Sequence, residues 1–135
     1  MEILIDTSVW SAALRHTRAT ADSPSRDVQE LIDEGRVVMI GPVRQELLSG
    51  VKSERQFNEL RDVLRAFPDR LLSTDDFEEA ALCFNTCRRR GVQGSHTDFL
   101  ICAVARRDGL EIFTSDDDFE RFRKPLRLKL YERRF

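Results

Sequence analysis

Apolar residues follow two rhythms along the chain. Short, nearly unbroken runs at Ile3 to Ile5, Arg36 to Ile40 and Leu110 to Phe113 stop at Asp6-Thr7-Ser8, Gly41-Pro42 and Thr114-Ser115, the pattern of strands buried on both faces of a parallel sheet. Between them, apolar positions recur every three or four residues, which is one face of a helix. Val28, Leu31 and Ile32 form such a stripe, opened by Ser23-Pro24 and stopped by Gly35. Phe57, Leu60, Leu64 and Phe67 form another, closed by Pro68. Phe77, Ala80, Ala81, Phe84 and Cys87 follow Asp75 and Glu78, spaced as a capping box, and end at Gly91. Ile101, Val104 and Ala105 follow Thr97 as a cap and end at Gly109. Polar residues open a further segment around Val9 to Arg15, and a helix is expected to begin near Pro42 and carry Glu46 and Leu47-Leu48. Leu71-Leu72 reads as a brief strand, and the alternation of Leu126, Leu128 and Leu130 reads as an edge strand.

Strands separated by helices need crossover connections, so the expected fold class is α/β, with a mainly parallel sheet of four or five strands covered on both faces. The chain has 135 residues, with no internal repeat and no linker-like stretch, which fits a single domain over 1–135.

Composition narrows the class. With 41% hydrophobic and 34% charged residues, the chain is an ordinary globular sequence and not a disordered or fibrous one. The opening MEILIDTSVW lacks the basic start and long apolar core of a secretion signal. No apolar run approaches the roughly 18 residues that span a bilayer. A cytoplasmic, membrane-free protein is expected. Cys83, Cys87 and Cys102 are an odd number of thiols in a chain that needs no staples, so they read as reduced core residues.

The net charge of −2 conceals an asymmetry. From Arg121 to Phe135 the chain carries seven basic residues against one acidic, and Arg88, Arg89 and Arg90 form a second basic run. These basic residues, with Arg15 and Arg18, are candidates for contacts to nucleic-acid phosphates, although each alone also fits a solvated face.

The chemistry-bearing pattern is acidic. Asp6 directly follows the first strand and Asp116 follows the Leu110 to Phe113 strand, so both fall at the carboxyl edge of the sheet, where open α/β folds bind ligands. Glu46 lies in the helix after the second strand, and Asp98 in the first turn of the helix before Leu110. Two carboxylates about 4 Å apart repel by roughly 4 kcal/mol at an effective dielectric near 20. Four converging acids therefore call for a cation. Oxygen ligands without His or Cys favour magnesium or manganese, one or two ions, and suit phosphodiester hydrolysis in which an ion-activated water attacks phosphorus. His96 reads as a helix-entry residue, Trp10 as a core or dimer-contact aromatic, and His16 carries no signal.

The segments ILIDTSVW, VRQELLSG, TDFLICAVA and LEIFTSDDDF, in this order and spacing, resemble the PIN-domain nucleases, most closely the VapC toxins of toxin-antitoxin pairs. The resemblance spans nearly the whole chain. It implies an α/β/α sandwich and magnesium- or manganese-dependent endoribonuclease activity that leaves 5′-phosphate and 3′-hydroxyl ends. It also implies a cytoplasmic homodimer and a cognate VapB-like antitoxin that covers the site. Asp6, Glu46, Asp98 and Asp116 stand at the four acidic positions of its motifs. Thr7, Ser8, Thr114 and Ser115 are the hydroxyl neighbours expected to orient them, with Asp118 a further outer support. Cys102 departs from the alanine common in similar sequences and is expected to pack in the core.

Two other readings stay open at this level. One is a PIN module that binds RNA or protein without cutting. The other is a phosphatase of the haloacid-dehalogenase type, but the second acid two residues after its nucleophile is missing here, where Ser8 stands.

Overall fold

A computed structural model describes residues 1–15 and 23–135. His16 and Arg18 lie outside the described residues. The element order is β1 (Ile3–Ile5), α1 (Thr7–Arg15), α2 (Ser25–Asp33), β2 (Val37–Val38), α3 (Gly41–Leu48), α4 (Glu54–Leu64), α5 (Thr74–Arg89), α6 (His96–Asp108), β3 (Glu111–Phe113) and α7 (Asp118–Leu126).

The three strands run parallel in the order β2-β1-β3. Ile3 pairs with Val37 and Glu111, and Ile5 pairs with Phe113, so β1 is central. Single parallel bridges extend the sheet on either side, Met39 with Asp69 beyond β2 and Ile112 with Leu130 beyond β3. The expected four or five strands thus become three strands with two one-residue bridges. Leu71-Leu72 forms no strand: Leu71 is 88% exposed, and the pairing falls on Asp69 instead. Leu126 is not part of an edge strand either. It closes α7, and Arg127 turns the chain in the left-handed region at φ 53°. Leu128 then folds back, its amide donating to the Arg123 carbonyl over 3.0 Å, as in a helix-terminating Schellman turn. Only Leu130 joins the sheet.

Burial explains the runs. Ile3, Leu4 and Ile5 are fully buried, as expected for a central strand covered on both faces. Trp10 is buried and packs on Phe67 with ring centroids 5.1 Å apart, a core role. Cys83, Cys87 and Cys102 are buried free thiols. No helix among the described residues is long and apolar enough to cross a membrane.

Two helix starts differ by a few residues from expectation. α5 is capped by Ser73 with Asp76, not by Asp75 with Glu78, and α6 by Ser95 with Asp98, while Thr97 lies inside the helix. In both, a Ser precedes the acid by three residues, and the nearby Asp75 and Thr97 mimic the same signal.

The basic tail is largely spoken for. Asp27 on α2 is fully buried, accepting from the Tyr131 hydroxyl at 3.0 Å and the Arg134 amide at 2.8 Å, with Arg133 Nε at 3.4 Å. The Arg134 guanidinium reaches Glu30 and Glu34. Arg121 and Arg123 pair with Asp118 and Glu120. These cations anchor the chain end and α7, while Lys124, Arg127 and Lys129 stay exposed.

Candidate metal centre

The carboxyl edge of the sheet collects the acids because β1, β3 and the N-terminal ends of α6 and α7 open onto it. Asp6 is the residue after β1 and is only 4% exposed. Such a buried charge needs partners. Its Oδ2 accepts from Ser8 Oγ and from Thr114 Oγ1, each at 2.7 Å. The same hydroxyls organise the next loop: Thr114 Oγ1 accepts from the Asp116 amide at 2.9 Å, and Ser8 Oγ accepts from the Ser115 amide at 3.1 Å. Ser115, expected to act through its hydroxyl, enters through its amide.

Asp98 has two duties. As third residue of the α6 capping box, its Oδ2 accepts from the Ser95 amide at 3.1 Å, while its own amide donates to Ser95 Oγ at 3.0 Å. Burial pushes its carboxyl above the ordinary range, the Ser95 bonds oppose this, and the charges of Asp6 and Asp116 raise it further. That mutual influence places all three acids in one electrostatic neighbourhood.

Asp98, Asp116 and Asp118 each present a carboxylate oxygen within 4.8 Å of the others. Asp118 is thus part of the cluster and not merely outside it; its amide also donates to Asp116 Oδ1 at 2.9 Å. The missed signal is the spacing Asp116-x-Asp118 at a helix start, which turns both side chains to one side. Glu46 is exposed on α3, and its Oε1 accepts from Thr7 Oγ1 at 2.7 Å, next in sequence to Asp6. The trio of closest oxygens does not include Glu46 or Asp6.

The donor set fits a hard divalent ion: oxygen only, several carboxylates, and hydrogen bonds that fix the ligands' orientation. Arg121 on Asp118 is the cation that faces the cluster. Zinc is disfavoured by the same chemistry, because the thiols are buried elsewhere in α5 and α6.

Of the candidate phosphate contacts, Arg15 is exposed at the end of α1, and Arg88, Arg89 and Arg90 are exposed at the end of α5. The Arg88 guanidinium lies 5.9 Å from the Phe84 ring centroid.

Residues 3–125 match the PIN domain family. The chain belongs to the PIN-domain family. A curated relative, ribonuclease VapC11 of Mycobacterium tuberculosis, is 35% identical over 124 residues, 87% of this chain and 89% of that protein. This PIN domain also superposes on VapBC2 from Rickettsia felis bound to a promoter DNA fragment, with TM-score 0.78 and 18% identity over 97% of this chain and 98% of that one. A toxin-antitoxin complex from Klebsiella pneumoniae gives TM-score 0.64 and 20% identity over 87% of this chain and 90% of that one. The solved structures establish the shared α/β/α fold.

Proposed function

We propose that this PIN domain, residues 1–135, is a VapC-like toxin: a magnesium- or manganese-dependent endoribonuclease inhibited by a cognate antitoxin. The observation that carries the reading is the convergence of Asp98, Asp116 and Asp118 oxygens within 4.8 Å, beside a buried, doubly bonded Asp6. The family match and the 35% identity to a VapC ribonuclease support the substrate class.

Asp98, Asp116, Asp118 and Asp6 would hold the ion, with Glu46 at the rim. A divalent ion there supplies positive charge against the phosphoryl oxygens and makes water a stronger acid. Ser8 and Thr114 keep Asp6 from rotating, and Ser95 does the same for Asp98. Arg88, Arg89, Arg90 and Arg15 meet backbone phosphates and supply the positive charge that the acids lack. No side chain needs to act as a nucleophile. Asp6 Oδ2 is already engaged by two hydroxyls, an arrangement suited to a ligand and not to an attacking carboxylate. The toxin-antitoxin complex among the structural neighbours supports a protein inhibitor as partner, and the family resemblance adds a second copy of the chain.

The test is incubation of the antitoxin-free protein with RNA in magnesium, manganese or chelator, beside Asp6→Asn. Cleavage that needs the ion and is lost in the variant supports the reading. Cleavage indifferent to chelator overturns it.

A further inference from the structure

Beside the acids lies a hollow of about 250 Å³, bordered by Phe84, Arg88, Val92, Gln93, Gly94 and Phe99. Its volume falls below the roughly 300–1,000 Å³ of sites for drug-sized ligands, so it suits one ring system. Three features point to the kind of ring. Phe84 offers an aromatic surface, held by a parallel stack with His96 at 5.4 Å and an edge contact with Phe99 at 5.5 Å. The Gln93 side chain is exposed and makes no hydrogen bond among the described residues, leaving a donor and an acceptor free on one planar group. The Arg88 guanidinium forms no ion pair among the described residues and lies loosely over the Phe84 ring, 5.9 Å from its centroid, from where it can swing aside. A π-face, an amide that reads a hydrogen-bonding edge and a cation held by no carboxylate are together the recognition chemistry of a nucleotide.

The hollow is built into the same framework as the acids. Gly94 lines it, and the amide of the next residue, Ser95, is held by the Asp98 carboxylate at 3.1 Å. Phe99, next to Asp98, packs on Phe122 of α7 with centroids 5.0 Å apart, and α7 begins at Asp118. The contact is so close that a Cβ on Gly94 would fall 2.5 Å from Phe122 Cζ. The two helices that present Asp98 and Asp118 therefore also form the floor under Gly94, which fixes the distance from pocket to acids.

We propose that this hollow receives one base of the RNA strand next to the cleaved bond, with Phe84 stacking on it, Gln93 reading its edge and Arg88 meeting its phosphate. This rests on the ribonuclease reading and adds the element of base selection to it. Pairing with a side-chain amide discriminates bases, whereas stacking alone accepts any of them.

Titration of the isotope-labelled, ion-free protein with each ribonucleoside 5′-monophosphate, and with ribose 5-phosphate, tests the pocket apart from catalysis. Base-dependent shifts at the Val92, Gln93 and Gly94 amides are expected, with affinity falling about tenfold in Phe84→Leu and in the exposed-site variant Gln93→Ala. Mapping cut sites in a random RNA pool is then expected to show an altered base preference in Gln93→Ala. Equal shifts from ribose 5-phosphate, or no base-dependent shift with an unchanged cut-site preference, overturn the pocket; wild-type cleavage lost in Asp6→Asn leaves the ribonuclease reading standing. Base-dependent shifts in a protein that cuts no RNA support the pocket and defeat the ribonuclease reading. Burial of Gln93 by an antitoxin, with no response to nucleotide, overturns the pocket in favour of a protein side chain.

Discussion

The Thr114 hydroxyl donates to Asp6 Oδ2 over 2.7 Å, joining residues 108 positions apart at the carboxyl ends of adjacent strands. The same oxygen of Thr114 receives the Asp116 amide, so one hydroxyl sets two of the acids. Replacement by valine keeps the shape and removes both bonds. Thr114→Val is expected to lower RNA cleavage and manganese affinity by about 10- to 100-fold while the circular dichroism spectrum is retained. Serine at this position restores most of the loss.

Three carboxylate oxygens within 4.8 Å repel one another when ionised. At an effective dielectric near 20, each pair costs about 3 kcal/mol. Removing one charge relieves the ion-free protein and impairs the ion-binding one. Asp116→Asn is therefore expected to melt higher than wild type in chelator, to gain less from added manganese, and to lose cleavage by at least about 100-fold. Thermal melts with and without manganese check the first two, and an RNA-cleavage assay checks the third.

Acid stability tests the α5 cap. Burial pushes the Asp76 carboxyl up, but the Ser73 amide, the Arg107 guanidinium at 2.6 Å and the Ser73 hydroxyl bring it below its ordinary 3.8. A depressed pKa contributes stability that is present above the ordinary value and lost as pH falls through the folded one. Asp76→Asn is expected to cost about 1–2 kcal/mol near neutral pH. Urea unfolding checks that this gap closes as pH drops below about 4.

Asp27 is a fully buried charge whose partners all come from the last five residues. Asp27→Ala leaves the half-buried Tyr131 hydroxyl and the Arg134 amide without their acceptor. The expected cost is about 3–5 kcal/mol in urea unfolding. Cleavage at low temperature survives, because Asp27 lies on α2, away from the acids.

The sequence made the site more legible than the strand count. Asp6, Asp98 and Asp116 follow or precede elements whose apolar pattern is unambiguous, so their placement at one sheet edge followed from topology. Asp118 is harder to place from sequence because a run of three aspartates gives no periodic cue; only the turn into α7 brings its oxygen to Asp98. Leu126, Leu128 and Leu130 misled because alternation over three residues is also what a helix end and a left-handed turn at Arg127 produce. The nucleotide-sized hollow had no sequence signal. It depends on Gly94 meeting Phe122, a contact between segments that pattern alone cannot align.

The central position of β1 has a consequence for synthesis on the ribosome. β1 and β3 pair directly although Thr114 and Asp6 lie 108 positions apart, so Asp116 and Asp118 are made long after Asp6. A nascent chain therefore carries its acids unassembled until β3 has left the ribosome. On the toxin reading, the cell has that interval of elongation to have an antidote at hand before the blade is formed.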